Sequence, residues 1–209
     1  MSVRAKICGL STPATLEAAV AGGASHAGFV HYPRSARHLP LDRLAELRRR
    51  LPDAVKAVAV LVDPDDALLD ALEPIGLNTL QLHQITVERA AAIRRRWAGG
   101  LWVGLPCSSI HDLATAATFA PHADRILFDA PTDVLEVPGG TGRSFDWSLL
   151  SEAAPTHPWI LSGGLTPQNV AHAIAATGAD FVDVSSGVES APSVKDVDKV
   201  AAFLTACRP

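Results

Sequence analysis

The chain has 209 residues, 48% of them hydrophobic, and a formal net charge of −4. That length carries one substantial core and no shift in composition marks a second domain, so residues 1–209 are read as a single unit. The mild acidity gives no electrostatic reason to expect nucleic acid or an anionic membrane as partner, and no stretch approaches the roughly 20 apolar residues that span a bilayer.

The N-terminus, Met1-Ser2-Val3-Arg4-Ala5-Lys6, runs straight into a strand pattern without a signal peptide's apolar segment, and a cytoplasmic protein is expected. Cys8, Cys107 and Cys207 are odd in number and far apart, which suggests no disulfide framework. From the first strand onward, short apolar and β-branched runs alternate with helical periodicities. Strands are predicted at Val3–Cys8, Ala27–Val30, Lys56–Val62, Thr79–His83, Leu101–Leu105, Arg125–Asp129, Trp159–Ser162 and Phe181–Ser185. Helices are predicted at Thr12–Ala21, Leu41–Leu51, Ala67–Ile75, Val87–Trp97, Ile110–Phe119, Trp147–Ala153, Pro167–Thr177 and Val197–Ala206. Ser11-Thr12-Pro13 and Thr166-Pro167 place a capping residue before a proline of the first turn. The runs Arg48-Arg49-Arg50 and Arg94-Arg95-Arg96 read as nucleic-acid patches only at first sight, since each ends a helical pattern, where cations complement the helix dipole.

Strands that alternate with helices call for a parallel sheet, because parallel neighbours need crossover connections. The repeat matches the compact end of the (β/α)8 TIM barrel, and the first strand lacks the glycine fingerprint of a dinucleotide-binding open sheet. In a barrel, chemistry sits at the C-terminal ends of strands. Alternation along strand one sends Val3, Ala5 and Ile7 toward the helices and Arg4, Lys6 and Cys8 inward, with Cys8 uppermost. In strand six, Ile126 and Phe128 face the helices while Arg125, Leu127 and Asp129 point inward, with Asp129 at the top. A thiol and a carboxyl across one mouth can remove and deliver a proton on opposite faces of a substrate. Lys6 is the cation available to favour the thiolate, and partial burial would keep the carboxyl protonated.

Glycine loops follow the last three strands: Gly139-Gly140-Thr141-Gly142, Ser162-Gly163-Gly164-Leu165 and Ser185-Ser186-Gly187. The loops after strands seven and eight are the habitual phosphate corner of these barrels, so Gly163, Gly164, Ser186 and Gly187 are candidate phosphate ligands, with Gly142 of the loop after strand six beside them. After strand two, Tyr32-Pro33-Arg34-Ser35-Ala36-Arg37-His38 offers arginines to a second anionic group of the substrate. Gln81 and His83 end strand four and could line the mouth, His83 as a hydrogen-bonded wall residue rather than a catalyst.

Together these residues resemble the phosphoribosylanthranilate isomerase family. Lys6-Ile7-Cys8-Gly9-Leu10 is similar to its opening signature, Gly28-Phe29-Val30 through Arg37 to its GFVFxxxSxR segment, and Gln81-Leu82-His83 to its QLH strand. Asp129 with Gly139 to Gly142 and Phe145-Asp146-Trp147, the run Leu161 to Val170, and Val182-Asp183 through Glu189 complete the set in order. The resemblance implies an Amadori rearrangement of N-(5-phosphoribosyl)anthranilate in tryptophan biosynthesis, with no metal or organic cofactor. It implies Cys8 as general base, Asp129 as general acid, Arg37 on the substrate carboxylate, the glycine loops on the phosphate, and Lys6, Gln81, His83 and Asp183 around the pocket. The partner so implied is a small phosphosugar, and the protein a monomer or homodimer. The sequence departs from the family pattern at Gln84 and Ser193, where the family carries glycine, at Ala36, where it carries proline, and at Val103, where it carries lysine. Gln84 and Val103 are expected near the mouth. The parallel isomerase of histidine biosynthesis is a rival, but that family ends strand one with aspartate. A barrel that binds its metabolite without catalysis is disfavoured by the retention of both Cys8 and Asp129.

Overall fold

The computed structural model describes residues 3–130, 147–153 and 155–208. Strands β1 (Arg4–Cys8), β2 (His26–Val30), β3 (Lys56–Val62), β4 (Thr79–His83), β5 (Gly100–Pro106), β6 (Arg125–Asp129), β7 (Trp159–Leu161) and β8 (Phe181–Val184) form a closed parallel barrel in sequential order. The ring shuts where β1 pairs with β8, with Lys6 opposite Asp183 and Ile7 opposite Val184. Helices α1 (Pro13–Ala21), α2 (Leu41–Arg50), α3 (Asp66–Leu72), α4 (Val87–Arg96), α5 (Ile110–Phe119), α6 (Ser148–Ala153), α7 (Val170–Thr177) and α8 (Val197–Ala206) follow the strands in turn. Among the described residues no helix is long and apolar enough to cross a membrane.

The predicted helix starts hold where a side chain caps. Thr12 accepts from the Thr15 amide at the head of α1, and Asp65 from the Leu68 amide at the head of α3. Both arginine runs lie in the last turns of α2 and α4, as the dipole argument requires. Helix α7 starts later than predicted, at Val170 rather than Pro167. Asn169 holds the preceding turn instead, accepting from the Thr166 amide and donating to the Gly164 carbonyl. An element absent from the prediction follows β8: a single 3-10 turn at Ser186–Val188, then an antiparallel hairpin of β9 (Glu189–Ala191) and β10 (Val194–Lys195).

Two cores result from strand alternation. Ala5, Ile7, Phe29, Leu61, Leu82, Ile126, Phe128 and Val182 point outward into the layer between barrel and helices. Inside the barrel, Val58, Trp102, Leu127, Ile160 and Phe181 pack into a separate apolar plug. Lys6 also lies inside, 0% exposed, with Nζ 2.8 Å from Asp183 Oδ1. Gly28 leaves room for that side chain, since a Cβ there would lie 2.8 Å from Lys6 Cε. Val103 belongs to the outer core and faces the helices, not the mouth as expected. Strand five is apolar on both faces, so its alternation carries no signal.

Candidate active site

A cavity opens at the C-terminal end of the barrel. Cys8 from the end of β1 and Asp129 from the end of β6 both line it, as do Arg37, Gln81, His83 and Asp183. The strand alternation that predicted an inward Cys8 and Asp129 therefore describes the structure.

Cys8 packs against Val30 and Val60, with Tyr32 beside them. Burial among these side chains pushes the thiol above its ordinary range, and the Lys6 cation, although it acts in the opposite direction, does not overcome that. The lysine's own ammonium is engaged by Asp183, and Lys6 lies beneath the cavity rather than in its wall. Asp129 is half-buried, and its carboxyl is pushed up to about 6, first by burial and then by the Asp183 carboxylate. The Ala130 amide, donating to Asp129 Oδ1 at 2.9 Å, pulls the other way without reversing the shift. A carboxyl so poised keeps its proton about a tenth of the time at pH 7, on the order of a hundred times more than an ordinary aspartate, which favours a role as general acid.

Gln81 and His83 meet across one face of β4, with Gln81 Nε2 2.8 Å from His83 Nε2. Burial and the nearby Lys6 charge lower the imidazole to about 4, so the ring is neutral and its Nε2 accepts from the amide. Gln81 Oε1 is buried with no hydrogen-bond partner among the described residues. His83 has room because Gly104 has no side chain; a Cβ there would collide with the ring.

Arg37 reaches the cavity but is already held. Its Nε and Nη2 donate to the two carboxylate oxygens of Glu189 at 2.7 and 2.8 Å. A substrate carboxylate at Arg37 would therefore share the guanidinium with Glu189. Glu189 in turn binds Lys195 Nζ at 2.6 Å. Neither residue carries a sequence signal for such a role, since both belong to the β9–β10 hairpin and the 152 positions separating Arg37 from Glu189 hide the pair from any local pattern.

The loops expected to take the phosphate interlock. Gly163 has φ +82°, and a Cβ there would meet the Ala130 amide nitrogen at 2.5 Å. At Gly187 a Cβ would collide with the Leu165 carbonyl oxygen, so the loop after β8 seats directly on the loop after β7. Gly164 and Ser186 adjoin these two positions. The cavity is lined by Ser162 and Ser185, the residues that open the two loops. Gly142 lies outside the described residues, as do Gly139, Gly140, Thr141, Phe145 and Asp146.

Gln84 is exposed and holds φ 49°, and Ser193 holds φ 63° at the tip of the β9–β10 hairpin. Both adopt the left-handed backbone region that glycine occupies at least cost.

Comparison with known proteins agrees with the architecture. A family model described as N-(5'-phosphoribosyl)anthranilate (PRA) isomerase matches residues 5–206. A protein named N-(5'-phosphoribosyl)anthranilate isomerase from Zymomonas mobilis subsp. pomaceae is 49% identical over 210 residues, covering 100% of this chain and 99% of the relative. Among solved structures, the phosphoribosyl anthranilate isomerase of Thermotoga maritima superposes with a TM-score of 0.88 at 34% identity, covering 98% of each chain. A phosphoribosyl anthranilate isomerase solved in complex with reduced 1-(o-carboxyphenylamino)-1-deoxyribulose 5-phosphate superposes with a TM-score of 0.85 at 32% identity, again over 98% of each chain.

Proposed function

The chain belongs to the N-(5'-phosphoribosyl)anthranilate isomerase family, and from that premise we propose that Cys8 is the general base and Asp129 the general acid of its rearrangement. As a member of this family it is an isomerase of tryptophan biosynthesis, acting on N-(5'-phosphoribosyl)anthranilate. The observation that carries the residue assignment is one cavity lined by both groups, with the Asp129 carboxyl raised to about 6.

In this reading Asp129 gives its proton to the furanose ring oxygen, the C1–O bond breaks, and a Schiff base forms between C1 and the anthranilate nitrogen. The Cys8 thiolate then removes the C2 proton to give the enolamine. Loss of the C2 hydroxyl proton and gain of one at C1 yield the ketone, 1-(2-carboxyphenylamino)-1-deoxyribulose 5-phosphate, and return both side chains to their starting charges. Because burial raises the Cys8 thiol, the thiolate depends on the cations of Lys6 and Lys195, both of which act to lower it. Arg37 contacts the anthranilate carboxylate, sharing its guanidinium with Glu189. Amides of Gly163, Gly164, Ser186 and Gly187, together with the loop containing Gly142, take the phosphate. Gln81, His83 and Asp183 form the wall that faces the sugar.

The test is turnover by purified protein of phosphoribosylanthranilate, followed by anthranilate fluorescence, beside the equivalent aminosugar of histidine biosynthesis. Turnover of the first is expected. Activity confined to the second contradicts the proposal.

A further inference from the structure

We infer that Glu189 is a positioning residue that aims Arg37 at the substrate, with Lys195 holding Glu189 in place. The inference rests on the reading of Arg37 as the contact for the substrate carboxylate.

Four donors among the described residues converge on the Glu189 carboxylate. Arg37 Nε and Lys195 Nζ bind Oε1 at 2.7 and 2.6 Å, while Arg37 Nη2 and the Ser193 amide bind Oε2 at 2.8 and 3.0 Å. Such a two-pronged match of carboxylate to guanidinium fixes the plane of the arginine fork as well as its position. Glu189 is 9% exposed and does not line the cavity, whereas Arg37 does. Its carboxylate is saturated by the chain's own donors, so any influence on substrate passes through the guanidinium.

Lys195 is equally committed. It is 7% exposed, and besides Glu189 its ammonium reaches the Ser185 carbonyl at 2.9 Å and the Ser185 hydroxyl at 3.3 Å. The hairpin sets Lys195 opposite Glu189 in register. The Arg37 stem crosses directly over Gly9, the residue after Cys8, where a Cβ would lie 2.8 Å from Arg37 Cδ. The hairpin thus works as a bracket: it ties the loop after β2 to the loop after β8 and fixes where the guanidinium points.

The experiment is a double-mutant cycle on KM for phosphoribosylanthranilate. Glu189→Gln keeps the shape but replaces one acceptor oxygen with an amide that repels the guanidinium. It is expected to raise KM by roughly 10-fold with kcat changed by less than about threefold, as for loss of a charge-assisted contact. In an Arg37→Ala background the same substitution is expected to add nothing. Should Glu189→Gln fail to fold, Glu189→Gln with Lys195→Met removes one cation with the anion, and the same dependence on Arg37 is expected. An unchanged KM in Glu189→Gln, or an equal rise with and without Arg37, overturns the inference while leaving Arg37 as a ligand. An unchanged KM in Arg37→Ala alone overturns the carboxylate reading itself, and the inference with it.

Discussion

Asp129 couples function to stability through a single proton. Its carboxyl titrates near 6 in the folded chain against an ordinary 3.8, burial being the main cause. Between those values the folded chain keeps a proton that the unfolded chain releases, so folding is progressively disfavoured as pH rises through the window. The stabilisation is complete below pH ~4 and lost above pH ~6. The shift of about two pKa units corresponds to roughly 3 kcal/mol, reduced to about 2 kcal/mol because the side chain is only half-buried. Asp129→Asn, which cannot ionise, is therefore expected to exceed the native protein in stability by on the order of 2 kcal/mol at pH 7, with the gap closing below pH ~4. Urea midpoints measured across this range check it, and coincident midpoints at pH 7 would count against a raised carboxyl. The inward direction of Asp129 was legible in the sequence, because Ile126 and Phe128 mark the opposite face. The net effect on Cys8 was not, because it depends on how deeply Val30, Val60 and Tyr32 bury the thiol, and a neighbouring Lys6 says nothing of that.

The elements divide by how much of their pairing is local. β1, β4 and β6 could be read from alternation, and the strands agree with their predicted spans within a residue or so at each end. The β9–β10 hairpin could not, since Glu189-Ser190-Ala191 and Val194-Lys195 carry neither alternation nor length enough to signal a strand. Val103 was misplaced because Leu101-Trp102-Val103 offers no polar face to orient strand five. Glycine would suit two turn positions better than the residues present. Gln84 at φ 49° and Ser193 at φ 63° bear a left-handed backbone strain of roughly 1–2 kcal/mol each. Part of the gain from Gln84→Gly or Ser193→Gly is offset by about 0.5–1 kcal/mol of added chain entropy in the unfolded state. A net stabilisation of about 0.5 kcal/mol each is expected, read as a small rise in Tm. A fall in Tm for both variants would show that the side chains contribute more than the strain costs.

At the scale of the whole molecule, barrel closure lets residues 121 positions apart share one cavity, the separation of Cys8 from Asp129. The plug of Val58, Trp102, Leu127, Ile160 and Phe181 fills the interior, and Lys6 lies beneath the cavity, paired with Asp183 in its wall. That pair is a buried charge couple whose rupture by a single substitution costs about 3–5 kcal/mol, so the electrostatics around the acid and the base are fixed by the same ring of strands that carries them. The parallel order of strands was legible because crossover helices impose it. The Arg37–Glu189 pair that braces the mouth was not, because it joins the loop after β2 to the hairpin after β8, segments that meet only once the ring closes. The most direct test of the account is the turnover number on phosphoribosylanthranilate of Cys8→Ser and Asp129→Asn, each verified as folded. Each is expected to fall by at least ~10²-fold, as for loss of a general base or acid; near-native turnover in either variant would contradict the assignment of that residue.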